Sequence, residues 1–252
     1  MIDMTDKVIL VTGGSRGIGT AAVRALAGAG GDVVIHYARN RGAAQALAAE
    51  FPDGRCHLVA GDLADAPTTE AVWKDALAWK GRIDVLVNNA GIYEAADPEG
   101  DLDAFLASWE RTLRVNLVAV AQLCRQATFH YRERGGGIII NVASRSSFRG
   151  DDYDRMNYGA SKGGLIALTR SIARKNASDR ILAYAVAPGF VRTEMVDQII
   201  EQDGLGDMTA DIPLGEIAPA SDVGNCIAFL ASGLAPHATG TTIDINGASY
   251  VR

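Results

Sequence analysis

Short apolar runs alternate with longer helical patterns along the whole chain, and this alternation constrains the fold more than any other feature. Several of the runs are apolar on both faces, which is typical of strands covered by helices on each side. The runs predicted to form strands are 7–12, 32–37, 55–60, 83–88, 137–142, 181–187 and 242–245. The segments predicted to form helices are 19–29, 41–51, 68–79, 109–128, 157–176 and 221–231.

Strand–helix alternation at this spacing predicts right-handed βαβ units and an α/β fold. We expect a Rossmann-like, doubly wound parallel sheet of about seven strands with helices on both faces. No linker, repeat or low-complexity segment divides the pattern, so residues 1–252 are expected to form one domain. In such a sheet, ligands bind at the carboxyl ends of the strands.

Charge and composition argue against several classes of function. The net charge is −6 and the basic residues are scattered, which disfavours nucleic acid as a partner. No apolar run approaches the ~18 residues of a membrane span, so we expect no membrane association. Three widely spaced cysteines fit a reducing cytoplasm, where we expect the protein to reside. Neither cysteines nor histidines have metal-ligand spacing, and no metal site is expected.

A glycine-rich loop, TGGSRGIG at 12–19, follows the first predicted strand and opens the first helix. Glycines let the backbone turn tightly and approach a phosphate, and the helix N-terminus offers free N–H groups. The alternative is a glycine-rich turn without a ligand. The loop residues predicted to bind a cofactor are Gly13, Ser15, Arg16, Gly17, Ile18 and Gly19.

The residues after the second strand favour NADP(H) over NAD(H). Proteins that prefer NAD usually place an acid here, which accepts from the ribose hydroxyl. This chain instead has Tyr37, Ala38 and Arg39. Arg39, together with Arg16, is predicted to hold a 2′-phosphate. The alternative is that Arg39 merely begins a solvated helix.

The third and fourth strands are followed by further candidate cofactor residues. Asp62 precedes Leu63 and either accepts from an adenine amino group or caps the next turn. The segment NNAG at 88–91 contains Asn89, Ala90 and Gly91, which are small enough for a ribose to pack against the backbone.

Tyr158 and Lys162 lie four residues apart in a predicted helix, so their side chains share one face. A nearby cation favours the phenolate and lowers its pKa, which lets a tyrosine exchange a proton with a carbonyl or alcohol oxygen. Ser144 follows the fifth strand, where its hydroxyl can stabilise charge on that oxygen or serve a turn. Asn116 is a polar residue inside an apolar helix, with a structural role or a place in a proton path.

Together these residues resemble the short-chain dehydrogenase/reductase family over essentially the whole chain. The resemblance implies a catalytic set of Asn116, Ser144, Tyr158 and Lys162, in which Lys162 also holds the nicotinamide ribose. Thr193 would contact the carboxamide. The last strand in this family commonly contributes to tetramer contacts, which implies a homotetramer or homodimer. The resemblance extends the cofactor-binding set to Tyr37, Pro188, Gly189, Val191 and Thr193.

The segment around Ser144 departs from the family pattern. The step from Ser144 to Tyr158 is one residue longer than expected, so Ser146 or Ser147 could compete for the serine role. The charged segment 145–157 and the residues Tyr93 and Glu94 border the site. They form either a polar rim, which favours a hydroxylated or charged small molecule over a steroid, or merely a solvated loop. Residues 194–214 are predicted to form a substrate lid. Its apolar wall would consist of Met195, Val196, Ile199 and Ile200.

These features predict an NADP(H)-dependent oxidoreductase that interconverts a carbonyl and a secondary alcohol by hydride transfer. The resemblance is greatest to the beta-ketoacyl-carrier-protein reductases, which dock their carrier through arginines. Arg134 and Arg180 lie near the expected positions but do not match them, so that assignment stays open. A sugar or polyol dehydrogenase is a further alternative. A non-catalytic NADP sensor is the least favoured.

Overall fold

A computed structural model of the chain describes residues 2–193, 196 and 209–252. The sheet has seven parallel strands in the order β3-β2-β1-β4-β5-β6-β9, which confirms the predicted doubly wound fold. The strands of this sheet are β1 (Val8–Val11), β2 (Asp32–Tyr37), β3 (Cys56–Ala60), β4 (Val85–Asn88), β5 (Gly137–Val142), β6 (Ile181–Pro188) and β9 (Thr242–Ile245).

Helices lie on both faces of the sheet. The α-helices of the described residues are α1 (Gly17–Gly28), α2 (Arg41–Ala48), α3 (Ala66–Lys80), α4 (Leu102–Leu113), α5 (Ala119–Arg134), α6 (Ser146–Arg149), α7 (Met156–Asn176) and α8 (Ala220–Ser232). Short 3-10 turns occupy Tyr153–Arg155, Ala177–Asp179 and Pro236–Ala238. No helix among these residues is both long and apolar enough to cross a bilayer.

The core forms two layers because successive strand residues point to opposite faces. Ile9 and Val11 of β1 pack with α1, α2 and α8. Val8 and Leu10 pack with α3, α5 and α7 on the other face. All four residues are at most 2% exposed, which explains why the central strands are apolar throughout rather than alternating.

The predicted helix 109–128 is longer in the structure and is divided in two. It begins at Leu102, where the Asp101 side chain accepts a hydrogen bond from the Ala104 amide, and it ends at the left-handed Gly135. Between α4 and α5, residues Arg114–Val118 form a π-helical turn. Caps set these boundaries, whereas apolar periodicity detects only the middle of a helix.

One pair of strands was not predicted. The strands β7 (Val191–Arg192) and β8 (Ala218–Pro219) pair in parallel beside the main sheet. Two residues are too few for a detectable alternation pattern. Most of the predicted lid, including Met195, Ile199 and Ile200, lies outside the described residues.

Candidate active site

A cavity of about 600 Å³ opens at the carboxyl ends of the parallel strands, where the fold class places ligands. Loops that follow six of the strands form its walls. The predicted site residues that line it are Gly13, Ser15, Arg16, Gly17, Ile18, Arg39, Asp62, Leu63, Asn89, Ala90, Gly91, Ser144, Tyr158, Lys162, Pro188, Gly189, Val191 and Thr193. Gly19, Tyr37 and Asn116 lie behind this lining.

The glycine loop has the geometry that phosphate binding requires. Gly13 has φ +63°, and a Cβ there would lie 2.9 Å from the Ala90 Cα. A Cβ on Gly19 would overlap the Gly13 carbonyl oxygen, so Gly19 acts by letting the loop close on α1. The α1 N-terminus has no side-chain cap, which leaves its N–H groups facing a ligand position.

Two neutral side chains fix this loop from behind. His36 Nδ1 accepts from the Gly13 amide at 3.1 Å, and its Nε2 donates to the Gly61 carbonyl at 2.9 Å. Asn89 Nδ2 donates to the carbonyls of Thr12 and Gly13 at 2.9 and 3.0 Å. The sequence analysis missed the role of His36, because both of its partners are distant along the chain and nothing local marks the contact.

The residues predicted to recognise a 2′-phosphate lie on the cavity wall. Arg16 and Arg39 are exposed, and neither forms an ion pair within the part of the chain that the structure describes. Asp62 accepts from the Ala64 amide at 2.9 Å, so it serves its own turn as well as lining the cavity. Tyr37 is 8% exposed and packs in the apolar core, where it supports the strand end rather than reaching the cavity.

Ser144, Tyr158 and Lys162 converge on the opposite part of the same cavity. Ser144 follows β5, and the other two lie one turn apart on α7. Lys162 is 4% exposed, and its Nζ donates to the Val142 carbonyl at 2.8 Å. The same Nζ lies 5.7 Å from the ring centre of Tyr158. The helical spacing therefore brings the phenol and the ammonium together as expected.

Burial dominates the protonation of this group. It raises the pKa of Tyr158 to about 12, while the hydrogen bond with Ser144 acts in the opposite direction. Burial also lowers the pKa of Lys162 to about 8. We expected the pKa of the phenol to be lowered, but burial is the dominant influence and the net shift is upward. Tyr158 therefore retains its proton at neutral pH.

The structure distinguishes the three candidate serines. Ser144 lines the cavity, accepts from the Ser146 amide at 3.1 Å and is close enough to Tyr158 to lower the pKa of the phenol against the effect of burial. Ser146 also lines the cavity, but it begins α6. The Ser147 hydroxyl is buried without a partner and is not part of the lining. Between Ser144 and Tyr158 the chain forms α6 and the 3-10 turn Tyr153–Arg155, and both Ser144 and Tyr158 line the cavity.

Asn116 lies in the π-helical turn and is fully buried. Its Oδ1 accepts from the Ile92 amide at 2.8 Å, and its Nδ2 donates to the Ile92 carbonyl at 2.9 Å. The same Nδ2 donates to the Ser161 hydroxyl at 3.2 Å. Asn116 thus ties the loop after β4 to α7, one turn from Tyr158. A π-helical turn is frequently found at functional sites.

Comparisons with known proteins agree with this geometry. Residues 13–248 match the family model described as enoyl-(acyl carrier protein) reductase. The chain is 36% identical over 253 residues to the 3-oxoacyl-(acyl-carrier-protein) reductase FabG of Staphylococcus aureus strain Mu50, covering 97% of this chain and 98% of that one. It is also 36% identical over 247 residues to nodulation protein G of Rhizobium sp. strain N33, covering 98% of each.

A solved structure from Beutenbergia cavernae superposes with a TM-score of 0.88 and 32% identity, covering 98% of this chain and 97% of that one. That protein is provisionally described as an NAD(P)-dependent gluconate 5-dehydrogenase with bound NADP at low occupancy. The chain belongs to the short-chain dehydrogenase/reductase family. The predicted class of enzyme, an oxidoreductase acting on alcohols and carbonyls, is confirmed at that level.

The substrate end of this dehydrogenase/reductase cavity is rich in charge. Tyr93 meets the ring of Tyr158 edge-on at 4.8 Å, and its hydroxyl donates to Asp151 at 3.2 Å. Glu94 pairs with Arg111 at 3.5 Å. These polar and charged residues therefore lie against Tyr158, the tyrosine of the predicted catalytic set.

Proposed function

We propose that the chain is an NADP(H)-dependent oxidoreductase that interconverts a carbonyl and a secondary alcohol on a small, polar molecule. The observation that supports this most strongly is the convergence of Ser144, Tyr158 and Lys162 on the cavity that the glycine loop opens. The cofactor, when bound, supplies or accepts the hydride. The protein supplies orientation, proton exchange and charge stabilisation.

The residues present fit a dinucleotide with a 2′-phosphate. A Cβ on Gly13 would meet the backbone of Ala90, so glycine lets the loop pack closely against the segment after β4. The uncapped N–H groups of the α1 N-terminus are then the donors for a diphosphate. Arg16 and Arg39 provide two cations for the additional phosphate, and no acid follows Tyr37 to repel it. The relative with bound NADP supports the choice of NADP(H) over NAD(H).

In the proposed mechanism, each residue has a distinct task. Tyr158 holds a proton at neutral pH and gives it to the carbonyl oxygen during reduction, or takes it back from the alcohol during oxidation. Ser144 donates a hydrogen bond to that oxygen as charge develops on it. Lys162 contributes positive charge beneath the phenol and holds the nicotinamide ribose. Asn116 acts through the backbone by positioning the loop after β4 against α7.

The choice between the two main substrate classes rests on the cavity wall. Arg134 ends α5 and Arg180 precedes β6, so both lie at the amino ends of strands, away from the chain's own cavity. The charges of Glu94, Arg111 and Asp151 at the rim favour a hydroxylated or charged small molecule. Sequence similarity favours a beta-ketoacyl-carrier-protein substrate, which remains the second candidate.

We further propose a homotetramer in the cytoplasm. Three apolar side chains on α4, the π-helical turn and α5 are 43–50% exposed, which is the character of a surface that a second copy covers: Leu106, Val118 and Phe129. The three cysteines are free thiols, consistent with a reducing compartment. Sedimentation of the purified protein would test the oligomeric state, and a monomer would contradict it.

The function is tested by following reduced nicotinamide absorbance with the purified protein. NADPH and NADH are each offered with ketoacyl thioesters, diketones, keto sugars and ketosteroids, and the oxidised cofactors with the corresponding alcohols. We expect turnover with NADPH at least about tenfold more efficient than with NADH. A tenfold preference for NADH would contradict the cofactor assignment. Tight cofactor binding with no turnover on any compound would favour a sensor instead.

A further inference from the structure

Arg145, the residue after Ser144, has a side chain that none of the roles above uses. It is only 6% exposed, yet it lines the cavity. Its Nη1 donates to the Ser249 hydroxyl at 2.7 Å, and its guanidinium carbon lies 4.3 Å from the ring centre of Phe190. A guanidinium has five N–H donors, so a single hydroxyl contact leaves most of them available to a ligand.

The surroundings of Arg145 supply no countercharge at close range. Within the described ranges it forms no ion pair, whereas Arg111 pairs with Glu94 at 3.5 Å and Arg149 pairs with Asp211 at 3.3 Å. Burial lowers the pKa of Arg145 and the positive charge of Arg149 lowers it further, while the carboxylates of Asp211 and Asp151, beyond ion-pair distance, act in the opposite direction. A buried cation without a partner is costly, and a bound anion would offset that cost.

The backbone fixes this guanidinium beside the reacting groups. The Arg145 amide donates to the Pro188 carbonyl at 2.8 Å, which joins the ends of β5 and β6. Stacking on Phe190 restrains the plane of the guanidinium, and its in-plane N–H groups suit the planar fork of a carboxylate. The anion site is therefore built of rigid parts, next to the serine and the tyrosine of the proposed reaction.

The other charges on this wall restrict which anion fits. Asp151 and Asp152 line the same cavity without an ion pair among the described residues, and they would repel a dianion such as a phosphate ester. They tolerate a single negative charge better and can accept hydrogen bonds from hydroxyl groups. The combination of one available cation with surrounding carboxylates therefore favours a monoanion that carries hydroxyls.

We propose that Arg145 binds a carboxylate of the substrate, and that the substrate is a hydroxylated carboxylic acid. The carboxylate lies against the guanidinium, and the alcohol or carbonyl carbon lies at Ser144 and Tyr158. The statement that the substrate is a hydroxylated carboxylic acid rests on the proposed function, but the binding of a carboxylate at Arg145 does not. A charge-assisted hydrogen bond of this kind should make the acid bind about 10- to 100-fold more tightly than a neutral analogue.

The test measures binding without turnover. The NADPH-loaded protein is titrated in a calorimeter with D-gluconate and with D-glucitol, which differ only at one terminal carbon. Glycerate and glycerol form a second, smaller pair. Reduced cofactor with an alcohol cannot react, so binding is separated from hydride transfer. We expect each acid to bind at least about tenfold more tightly than its neutral partner.

Three variants assign the preference to one side chain. Arg145→Gln should reduce the affinity for the acid by about 10- to 100-fold and change that for the polyol less than about threefold. Arg145→Lys keeps the charge and should retain part of the preference. Arg24→Gln is the matched control, because Arg24 of α1 is paired with Glu50 and does not line the cavity. It should leave both affinities unchanged.

Several results would overturn the proposal. These are equal affinity for acid and polyol in the unmodified protein, no binding of either acid, or an acid preference that persists in Arg145→Gln. If Arg145 has only a structural role through Ser249 and Phe190, Arg145→Gln would lower the melting temperature and weaken the binding of both ligands equally. If Arg145→Gln does not fold, the affinities of Arg145→Lys and of the unmodified protein for acid and polyol still test the proposal. Absence of turnover on every substrate would refute the proposed function and leave the acid preference intact.

Discussion

The two ends of the cavity are built in different ways. At the cofactor end, neutral side chains such as His36 and Asn89 hold a backbone loop, and the cations Arg16 and Arg39 are left exposed at the rim. At the substrate end, long charged side chains pair with one another across the wall, and Arg145 is buried without an acidic partner among the described residues.

This difference explains which ligand each end can accept. A loop of glycines held by neutral contacts presents N–H groups to any diphosphate, so the cofactor end depends on backbone shape. The paired charges of the substrate end define a pattern that only a complementary molecule satisfies. Backbone substitutions should therefore affect the cofactor, and side-chain substitutions the substrate.

The largest expected effect comes from closing the glycine loop. In Gly19→Ala the new Cβ would overlap the Gly13 carbonyl oxygen, so the loop must move. We expect NADPH affinity to fall by at least about 100-fold in a fluorescence titration. Gly28→Ala is the matched control, because a Cβ at this other end of α1 meets nothing within 4 Å. Unchanged affinity in Gly19→Ala would show that the loop does not bind the cofactor.

Removing the charge of Arg39, one of the two exposed arginines at the cofactor end, should change only the relative affinity for NADPH and NADH. We expect Arg39→Gln to weaken NADPH by about 10-fold and to leave NADH within about twofold, since only NADPH offers the extra phosphate. Arg41→Gln, an exposed arginine of α2 that does not line the cavity, should change neither. Equal losses of affinity for both cofactors would show that Arg39 contacts a part of the dinucleotide that NADPH and NADH share.

Protonation of His36 should loosen the cofactor end. Burial lowers the pKa of His36 below the ordinary 6.5, and its Nδ1 must stay unprotonated to accept from Gly13. The unfolded chain therefore binds more protons than the folded one, so stability is lost as pH falls below about 6.5. We expect melting temperature and NADPH affinity to decrease together in that range.

Burial also lowers the pKa of His130, so a second histidine could contribute to the pH dependence. Comparison with His36→Gln separates the effect of His36 from that of His130. Glutamine can keep a donor and an acceptor but does not titrate. It should remove most of the decrease in NADPH affinity at low pH. A decrease of the same size in both proteins would assign the effect to another group.

The smallest expected effect lies at the rim of the substrate end. Tyr93→Phe loses the 3.2 Å hydrogen bond to Asp151 but keeps the edge-on ring contact with Tyr158. We expect KM for the best substrate to rise by less than about fivefold, with kcat nearly constant. Tyr153→Phe, on an exposed side chain outside the lining, provides the baseline. A large fall in kcat would make Tyr93 part of the proton path.

The fold was predictable because its signals are local and repeated. Each central strand is apolar along its length, and all seven strands of the main sheet lie within two residues of the predicted bounds. Helix ends were less predictable, since the cap at Asp101 and the left-handed Gly135 depend on single residues. The π-helical turn was not predicted, and the partners that hold Asn116 within it, Ile92 and Ser161, are distant along the chain.

The parts of the candidate site that are close together in the sequence were predictable, and those that depend on distant residues were not. The glycine loop and the Tyr158–Lys162 step are short motifs with a direct geometric meaning. His36 and Arg145 escaped notice because their partners are distant, with Ser249 lying 104 residues beyond Arg145. Such contacts depend on how strand ends are ordered in the sheet, which a local pattern does not contain.

In the proposed reaction, one end of the cavity binds the cofactor and the other performs the proton exchange. The most direct test compares Tyr158→Phe with the unmodified protein in two measurements, NADPH affinity and the rate of NADPH oxidation with the best carbonyl substrate. We expect affinity within about threefold and a rate reduced by about 10²- to 10⁴-fold. A variant that keeps its rate, or one that loses cofactor affinity by the same factor, would contradict the claim.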